Sequence, residues 1–181
     1  MDKFNRKYRI PSARWAAWDY SSNAAYFVTI CVSNRLHEFG EITDSKMTLS
    51  PLGHSALVCW DEIPAHFPFV ELGEFVVMPN HVHGIVVINK PVETQNIASL
   101  QNGPKNRFGP QSQNLASIVR GYKIGVTKFA RQNGIPFVWQ ARYHDHVIRN
   151  AGEYERIYQY ILDNPQKWEE DEYNALQVNQ D

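Results

Sequence analysis

Two histidines at alternate positions, His81 and His83, stand at the head of an apolar, β-branched run that continues to Ile88. Side chains alternate between the two faces of a β-strand, so both imidazoles point to one side and Val82 points to the other. Neutral imidazole is a common metal ligand, and two of them close together on one face can share one divalent ion. Two ligands do not fill a coordination sphere, so a third protein ligand and open positions are needed. The plainer alternative is a pair of polar residues on the solvated face of a half-buried strand.

The last helix indicated by the sequence offers a nucleophile. Tyr158 shares one helical side with Ile157 and Ile161, and this side is expected to face the core. Tyr160 and Asn164 fall on a neighbouring stripe, four residues apart and therefore adjacent in space. Helical phase thus distinguishes a core tyrosine from one that can face a site. Considered alone, Tyr160 also fits ordinary packing at the rim of an amphipathic helix.

Apolar periodicity and turn residues predict the elements that must position these side chains. In chain order they are strand 26–32, helix 51–63, strand 72–78, strand 83–88, helix 115–129, strand 146–148 and a helix between Asn150 and Pro165. A ribbon over 39–49 and a short strand over 137–139 are also expected. The order is that of the ferredoxin-like split βαβ pattern. The predicted fold class is therefore α+β, with an antiparallel sheet, the histidines on a central strand and Tyr160 on a C-terminal helix.

Length and composition predict one domain. The chain has 181 residues, of which 43% are hydrophobic, and only two are cysteines, which favours a reducing compartment without disulfides. No apolar run approaches the roughly 20 residues of a membrane helix, and no secretory signal is visible. We expect a cytoplasmic protein with a basic N-terminal arm at 1–17, one domain at 18–168 and a loose acidic tail at 169–181. The polar segment 89–113 is predicted to be a long mobile loop.

The net charge of −1 conceals two basic clusters. Cations at these positions could contact nucleic-acid phosphates, each one adding to a salt-dependent affinity. The first cluster lies in the N-terminal arm and the second on the helix that begins at Leu115: Arg6, Lys7, Arg9 and Arg14, and Arg120, Lys123, Lys128 and Arg131. For the helical cluster, a solvated surface without a partner is an equally good interpretation.

Two motifs together carry a family resemblance. Met78-Pro-Asn-His-Val-His83 and Tyr160-Ile-Leu-Asp-Asn-Pro165 resemble the single-tyrosine HUH transposases of insertion sequences and their REP-associated tyrosine transposase relatives. The similarity continues in four shorter segments, Ala25–Cys31, Phe39–Ile42, Val138–Gln140 and Asp145–Asn150. It spans about residues 18–168. Each motif is modest in specificity, but the ordered set is strong.

The resemblance implies a metal-dependent endonuclease and strand transferase that acts on single-stranded DNA near hairpins and forms a 5′-phosphotyrosine. Tyr160 would be the nucleophile, and His81 and His83 would hold Mg²⁺ or Mn²⁺. Asn164 matches the position where relatives often carry Gln as a third ligand. The partner would be hairpin-bearing single-stranded DNA in the bacterial nucleoid. Relatives include homodimers whose tyrosine helix serves the partner's metal site and forms that work as monomers, so both states stay open.

Two other functions remain compatible with these residues. Asn at position 164 is shorter than Gln, which allows a domesticated protein that binds DNA hairpins without turnover. The histidine pair could also serve a metal-dependent phosphoesterase that uses water, not tyrosine, as its nucleophile.

Overall fold

In this computed structural model, the described residues are 18–91 and 113–174, together with the backbone of 3–4 and 7–8. Strands β1 (Lys3–Phe4) and β2 (Lys7–Tyr8) pair antiparallel in the N-terminal arm. Of the arm cations predicted to bind DNA, Lys7 has only its backbone described, while three lie outside the described residues: Arg6, Arg9 and Arg14. Most of the predicted mobile loop, residues 92–112, and the end of the predicted tail, residues 175–181, also lie outside them.

A four-stranded antiparallel sheet organises the domain. Its strands are β3 (Ala24–Cys31), β6 (Val70–Val77), β7 (His81–Ile88) and β8 (His144–Ile148), in the order β6-β7-β3-β8. A separate ribbon consists of β4 (Gly40–Thr43) and β5 (Lys46–Leu49). The strand that carries the histidines is therefore central, between β6 and β3. This order is that of the predicted ferredoxin-like sheet, and the α+β prediction is confirmed.

Three of the described helices, which begin after Ser50, Asn114 and Asn150, have side-chain caps that accept hydrogen bonds from their first backbone N–H groups. The helices are α1 (Pro51–Asp61), α2 (Ile63–His66), α3 (Leu115–Gln132) and α4 (Ala151–Asp163), with 3₁₀ helices at Ser33–Arg35 and Asn164–Glu170. Ser50 accepts a hydrogen bond from the N–H of Gly53, and Asn150 accepts one from that of Glu153. None of the described helices combines the length and apolar character needed to cross a membrane.

The two faces of the sheet have separate cores. Helices α1 and α3 cover the face that presents Val28, Val82 and Val86, whereas α4 covers the face that presents Ile85. Alternation along β7 places His81 and His83 on the α4 face, as their spacing predicts. The sheet therefore directs both imidazoles toward the helix that carries the predicted nucleophile.

Two segments differ from the sequence-based expectations. The strand predicted at 137–139 is reduced to an isolated bridge between Trp139 and Val32. The rings of Phe137 and Trp139 pack against Phe39. Two backbone hydrogen bonds, from the Ser33 N–H to the Val138 carbonyl and from the Gln140 N–H to the Cys31 carbonyl, also hold the segment. The first residues of the predicted loose tail, 169–174, complete the last 3₁₀ helix and a following turn. Burial of Trp168 anchors them.

Gly84, directly after His83, permits close packing beneath the site. A Cβ at this position would lie 2.3 Å from Cζ2 of Trp60 and 2.9 Å from Cδ2 of Phe75. These two rings stack with centroids 4.3 Å apart, so neither can move freely. We expect Gly84→Ala to lower the free energy of unfolding by about 1–3 kcal/mol, measured by urea denaturation. The matched control is Gly152→Ala, whose nearest new contact would be 3.5 Å, and it should change stability by less than about 0.5 kcal/mol. Equal stabilities for the two variants would contradict this account.

Candidate metal and nucleophile site

The two histidines form a tight, fully buried pair. His81 Nε2 and His83 Nε2 are 3.0 Å apart, close enough for one ion to contact both. Burial lowers the pKa of His83 to about 3. Burial also lowers the pKa of His81 well below its usual value, with further lowering from His83 and Arg35. Both imidazoles are therefore neutral near pH 7, which is the form that binds a metal.

Hydrogen bonds on the far side of each ring orient the pair. The side-chain amide nitrogen of Asn80 donates to the carbonyl oxygens of Arg35 (3.1 Å) and Tyr173 (2.7 Å). The Asn80 oxygen must then be the atom 2.8 Å from His81 Nδ1, so Nδ1 carries the proton and Nε2 keeps its lone pair. His83 Nδ1 lies 2.8 Å from Thr29 Oγ1 on the neighbouring strand. Both Nε2 atoms therefore face the α4 side.

Asp171 adds a carboxylate to the histidine pair. One ligand atom from each of the three side chains lies within 4.8 Å of the others, and no other such group of three occurs among the described residues. Burial raises the pKa of Asp171, a hydrogen bond from the Tyr173 N–H lowers it, Glu172 raises it and Arg35 lowers it. Two imidazoles and one carboxylate can thus hold a divalent metal, a set typical of metals softer than Mg²⁺.

The side chain of Asn164 gives a second observation that fits a metal ion. This side chain is 3% exposed, and its Oδ1 has no hydrogen-bond partner among the described residues. An unpaired buried amide oxygen costs free energy unless something occupies its lone pairs. The donor set and this orphaned oxygen together fit a bound cation.

Tyr160 meets the pair from α4. Its hydroxyl lies 3.4 Å from His83 Nε2, and its ring meets Phe27 edge-on. Burial raises the pKa of Tyr160, a hydrogen bond from Asn164 lowers it, and the charges of Asp171 and Glu172 raise it. The phenol is consequently protonated near neutral pH, and nucleophilic attack needs a further activating group. Helical phase thus correctly placed Tyr160 and Asn164 side by side.

Aromatic rings enclose the site. The ring of Tyr173 lies 4.7 Å from that of His81, and the ring of Trp168 lies 6.1 Å away. Phe27 stacks on His83 at 5.3 Å. These rings exclude water from the imidazoles, which accounts for the lowered histidine pKa values.

The four cations predicted on helix α3 line one groove of about 700 Å³. They are Arg120, Lys123, Lys128 and Arg131, and no acid is among the described lining residues. Lys123 differs from the other three because its ammonium donates to the carbonyl oxygens of Gln140 (2.8 Å) and Arg142 (3.2 Å). Burial lowers its pKa to about 8. Lys123 therefore braces segment 140–142 and is poorly placed to bind phosphate.

Several residues of the site carry no strong signal in the sequence. Asp171 stands in an acidic run that suggests a solvated tail, and Thr29 reaches His83 only through the pairing of β3 with β7. Asn80 could have been suspected, since it directly precedes His81 in the motif. A second His-x-His pair, His144 and His146, lies on β8, where His144 is the register partner of Thr29 and His146 Nε2 is 2.8 Å from Glu153 Oε1.

Comparisons with known proteins give the fold and a family. The solved structure of a REP-associated tyrosine transposase bound to a REP hairpin is similar in fold, with a TM-score of 0.57 and 21% identity over 86% of this chain and 74% of that one. No family model matches the chain. An uncharacterised protein of Haemophilus influenzae is 41% identical over 170 residues, which cover 89% of this chain and 91% of that protein. The chain therefore belongs to the same family as this Haemophilus influenzae protein.

Proposed function

We propose that this protein is a metal-dependent tyrosine transposase, which cleaves and rejoins single-stranded DNA beside hairpins. The observation that carries the proposal is the approach of the Tyr160 hydroxyl to within 3.4 Å of His83 Nε2, next to the His81–His83 pair. A nucleophile and a candidate metal site on separate elements thus meet at one point. The fold shared with a hairpin-bound transposase supports the same function.

Tyr160 performs the covalent step in this proposal. Its oxygen attacks the phosphorus of a phosphodiester and loses its proton to water, and the bond from phosphorus to the 3′ oxygen breaks. The 3′ oxygen takes up a proton and leaves as a hydroxyl, while the 5′-phosphate stays on the tyrosine. Attack by another 3′-hydroxyl reverses these changes and joins the two strands. The phosphodiester energy is retained in the covalent link, so no nucleotide triphosphate is needed.

His81, His83 and Asp171 would hold the divalent metal, and the Asn164 oxygen would complete or support the set. The metal would neutralise charge on the scissile phosphate and favour in-line attack. The chain's own residues keep the phenol protonated, as the raised pKa of Tyr160 indicates, so they do not supply the activation by themselves. Imidazole ligands favour Mn²⁺ over Mg²⁺ in this site.

DNA contacts would come from the basic arm and from α3. On α3, Arg120, Lys128 and Arg131 would bind phosphate, because they line the basic groove, whereas the ammonium of Lys123 is bonded to the carbonyl oxygen of Gln140. The candidate metal ligands His81, His83 and Asp171 favour a metal-dependent transposase over a protein that binds hairpins without turnover. The adjacent phenol favours it over a phosphoesterase that uses water.

The test is formation of a covalent adduct. The full chain is incubated with 3′-labelled oligonucleotides carrying a REP hairpin and single-stranded flanks, then analysed on denaturing SDS gels. We expect a labelled protein band with Mn²⁺ that EDTA removes, together with release of an unlabelled strand ending in a 3′-hydroxyl. Cleavage without an adduct would favour the phosphoesterase, and tight binding without cleavage would favour the hairpin binder.

A further inference from the structure

A second cavity adjoins the candidate metal site. It measures about 470 Å³, within the range of small-molecule sites, and its wall includes Arg35, Gln140, His144 and Tyr173, with one acid, Glu172. The Tyr173 ring forms a shared wall, because it also lies 4.7 Å from the ring of His81. An occupant of this cavity would therefore contact a ring that also packs beside the histidine pair.

Arg35 gives this cavity an anion-binding group. Its guanidinium donates to the carbonyl oxygen of Glu172 and lies 5.2 Å from the centre of the Tyr173 ring. The guanidinium thus contacts an acceptor oxygen and an aromatic ring. A nucleotide offers the same two kinds of group, through its phosphate oxygens and its base. The carbonyl of Arg35 is held by Asn80, the residue that orients His81. The side chain of Asn80 thus contacts both the backbone of Arg35 and the ring of His81.

The backbone at this position is strained. Asn34 and Arg35 have φ values of 56° and 52°, in the left-handed region that non-glycine residues rarely occupy. Such conformations cost free energy and often occur at binding sites, where they fix a side chain. The turn therefore holds Arg35 at the cavity in a left-handed conformation that its backbone would not otherwise favour.

The cavity and the basic groove of α3 share one lining residue. Ala141 lines both spaces. Lys123 holds the segment around it through the carbonyls of Gln140 and Arg142. Beyond Ala141, the groove presents the guanidinium groups of Arg120 and Arg131. A basic groove beside an aromatic-walled cavity is typical of sites that follow single-stranded nucleic acid.

We propose that the cavity binds the nucleotide next to the cleaved phosphodiester, with Arg35 on its phosphate and the strand continuing over Ala141 onto α3. The ligand class is a single-stranded polynucleotide. This inference rests on the proposed transposase function, but it concerns binding and can be tested without the covalent step.

The test is fluorescence anisotropy of labelled oligothymidylate of 12 nucleotides with the full chain, between 50 and 200 mM salt. Arg35→Gln should weaken binding about tenfold, as expected for loss of a charged hydrogen bond. It should also reduce the slope of log affinity against log salt by about 0.7, the effect of one phosphate contact. Lys46→Gln, which removes an exposed charge from β5, should leave the slope unchanged.

A second set of variants tests whether one DNA strand occupies the cavity and continues over Ala141 onto α3. Ala141→Trp should weaken binding and reduce the further loss caused by Arg131→Gln, because both act on one strand. Ala65→Trp, on the exposed side of α2, is the matched control and should bind as the original chain does. An unchanged salt slope in Arg35→Gln, additive losses at 141 and 131, or no binding by the original chain would overturn the inference. If the original chain forms the covalent adduct in any of these cases, the proposed function still stands.

Discussion

Tyr160→Phe is expected to abolish the SDS-resistant protein–DNA adduct while leaving hairpin binding within about threefold of the original. The substitution removes the oxygen that would form the bond to phosphorus, and no other atom. The ring contacts with Phe27 and His83 can persist, so α4 should stay in place. Adduct formation is measured on denaturing gels and binding by electrophoretic mobility shift.

Tyr158→Phe is the matched control for this experiment. Tyr158 lies two residues earlier on α4, and its hydroxyl interacts with Glu74, so it belongs to a different helical face. This variant should form the adduct at the original rate. Tyr173 is a further comparison, since its ring lies 4.7 Å from His81. An adduct that persists in Tyr160→Phe but disappears in Tyr173→Phe would move the nucleophile to the C-terminal turn.

Features with a short-range pattern could be predicted from the sequence. Alternation along β7 determines which way His81 and His83 point, because a strand has a period of two residues. Helical phase separates Tyr160 from Tyr158 for a similarly local reason. The order of strands and helices then determined the ferredoxin-like sheet, which places β7 at its centre. These predictions needed no knowledge of contacts between distant parts of the chain.

Features that depend on tertiary contacts could not be predicted. Asp171 reaches the histidines because the last 3₁₀ helix follows α4 directly and Trp168 anchors it in the interior. The acidic run around it suggests only a solvated tail. Lys123 looks equivalent to the other cations of α3, yet the carbonyls of segment 140–142 capture its ammonium. In both cases the deciding partner is remote in sequence and gives no periodic signal.

The double substitution of His81 and His83 by glutamine is expected to eliminate metal binding and to reduce adduct formation by at least about a thousandfold. Glutamine keeps a polar side chain but loses the imidazole nitrogens that face each other at 3.0 Å. Mn²⁺ binding is measured by isothermal titration calorimetry and adduct formation on denaturing gels. His54→Gln, at an exposed position of α1, is the matched control and should retain both properties.

The double substitution of His81 and His83 by glutamine should also change how the free energy of unfolding depends on pH. The pKa of His83 is about 3 in the folded chain against an ordinary value of 6.5, and that of His81 is also lowered. Below pH 6.5 the unfolded chain therefore binds protons that the folded chain excludes, and the free energy of unfolding falls as pH drops toward 3. His83 contributes about 1.4 kcal/mol per pH unit in this window, and the lowered pKa of His81 acts in the same direction. Urea denaturation in EDTA at pH 7 and pH 5 should show this loss in the original chain and in His54→Gln, and a much smaller one in the double variant. Equal losses in all three proteins would mean that the histidine pair is not held neutral by burial.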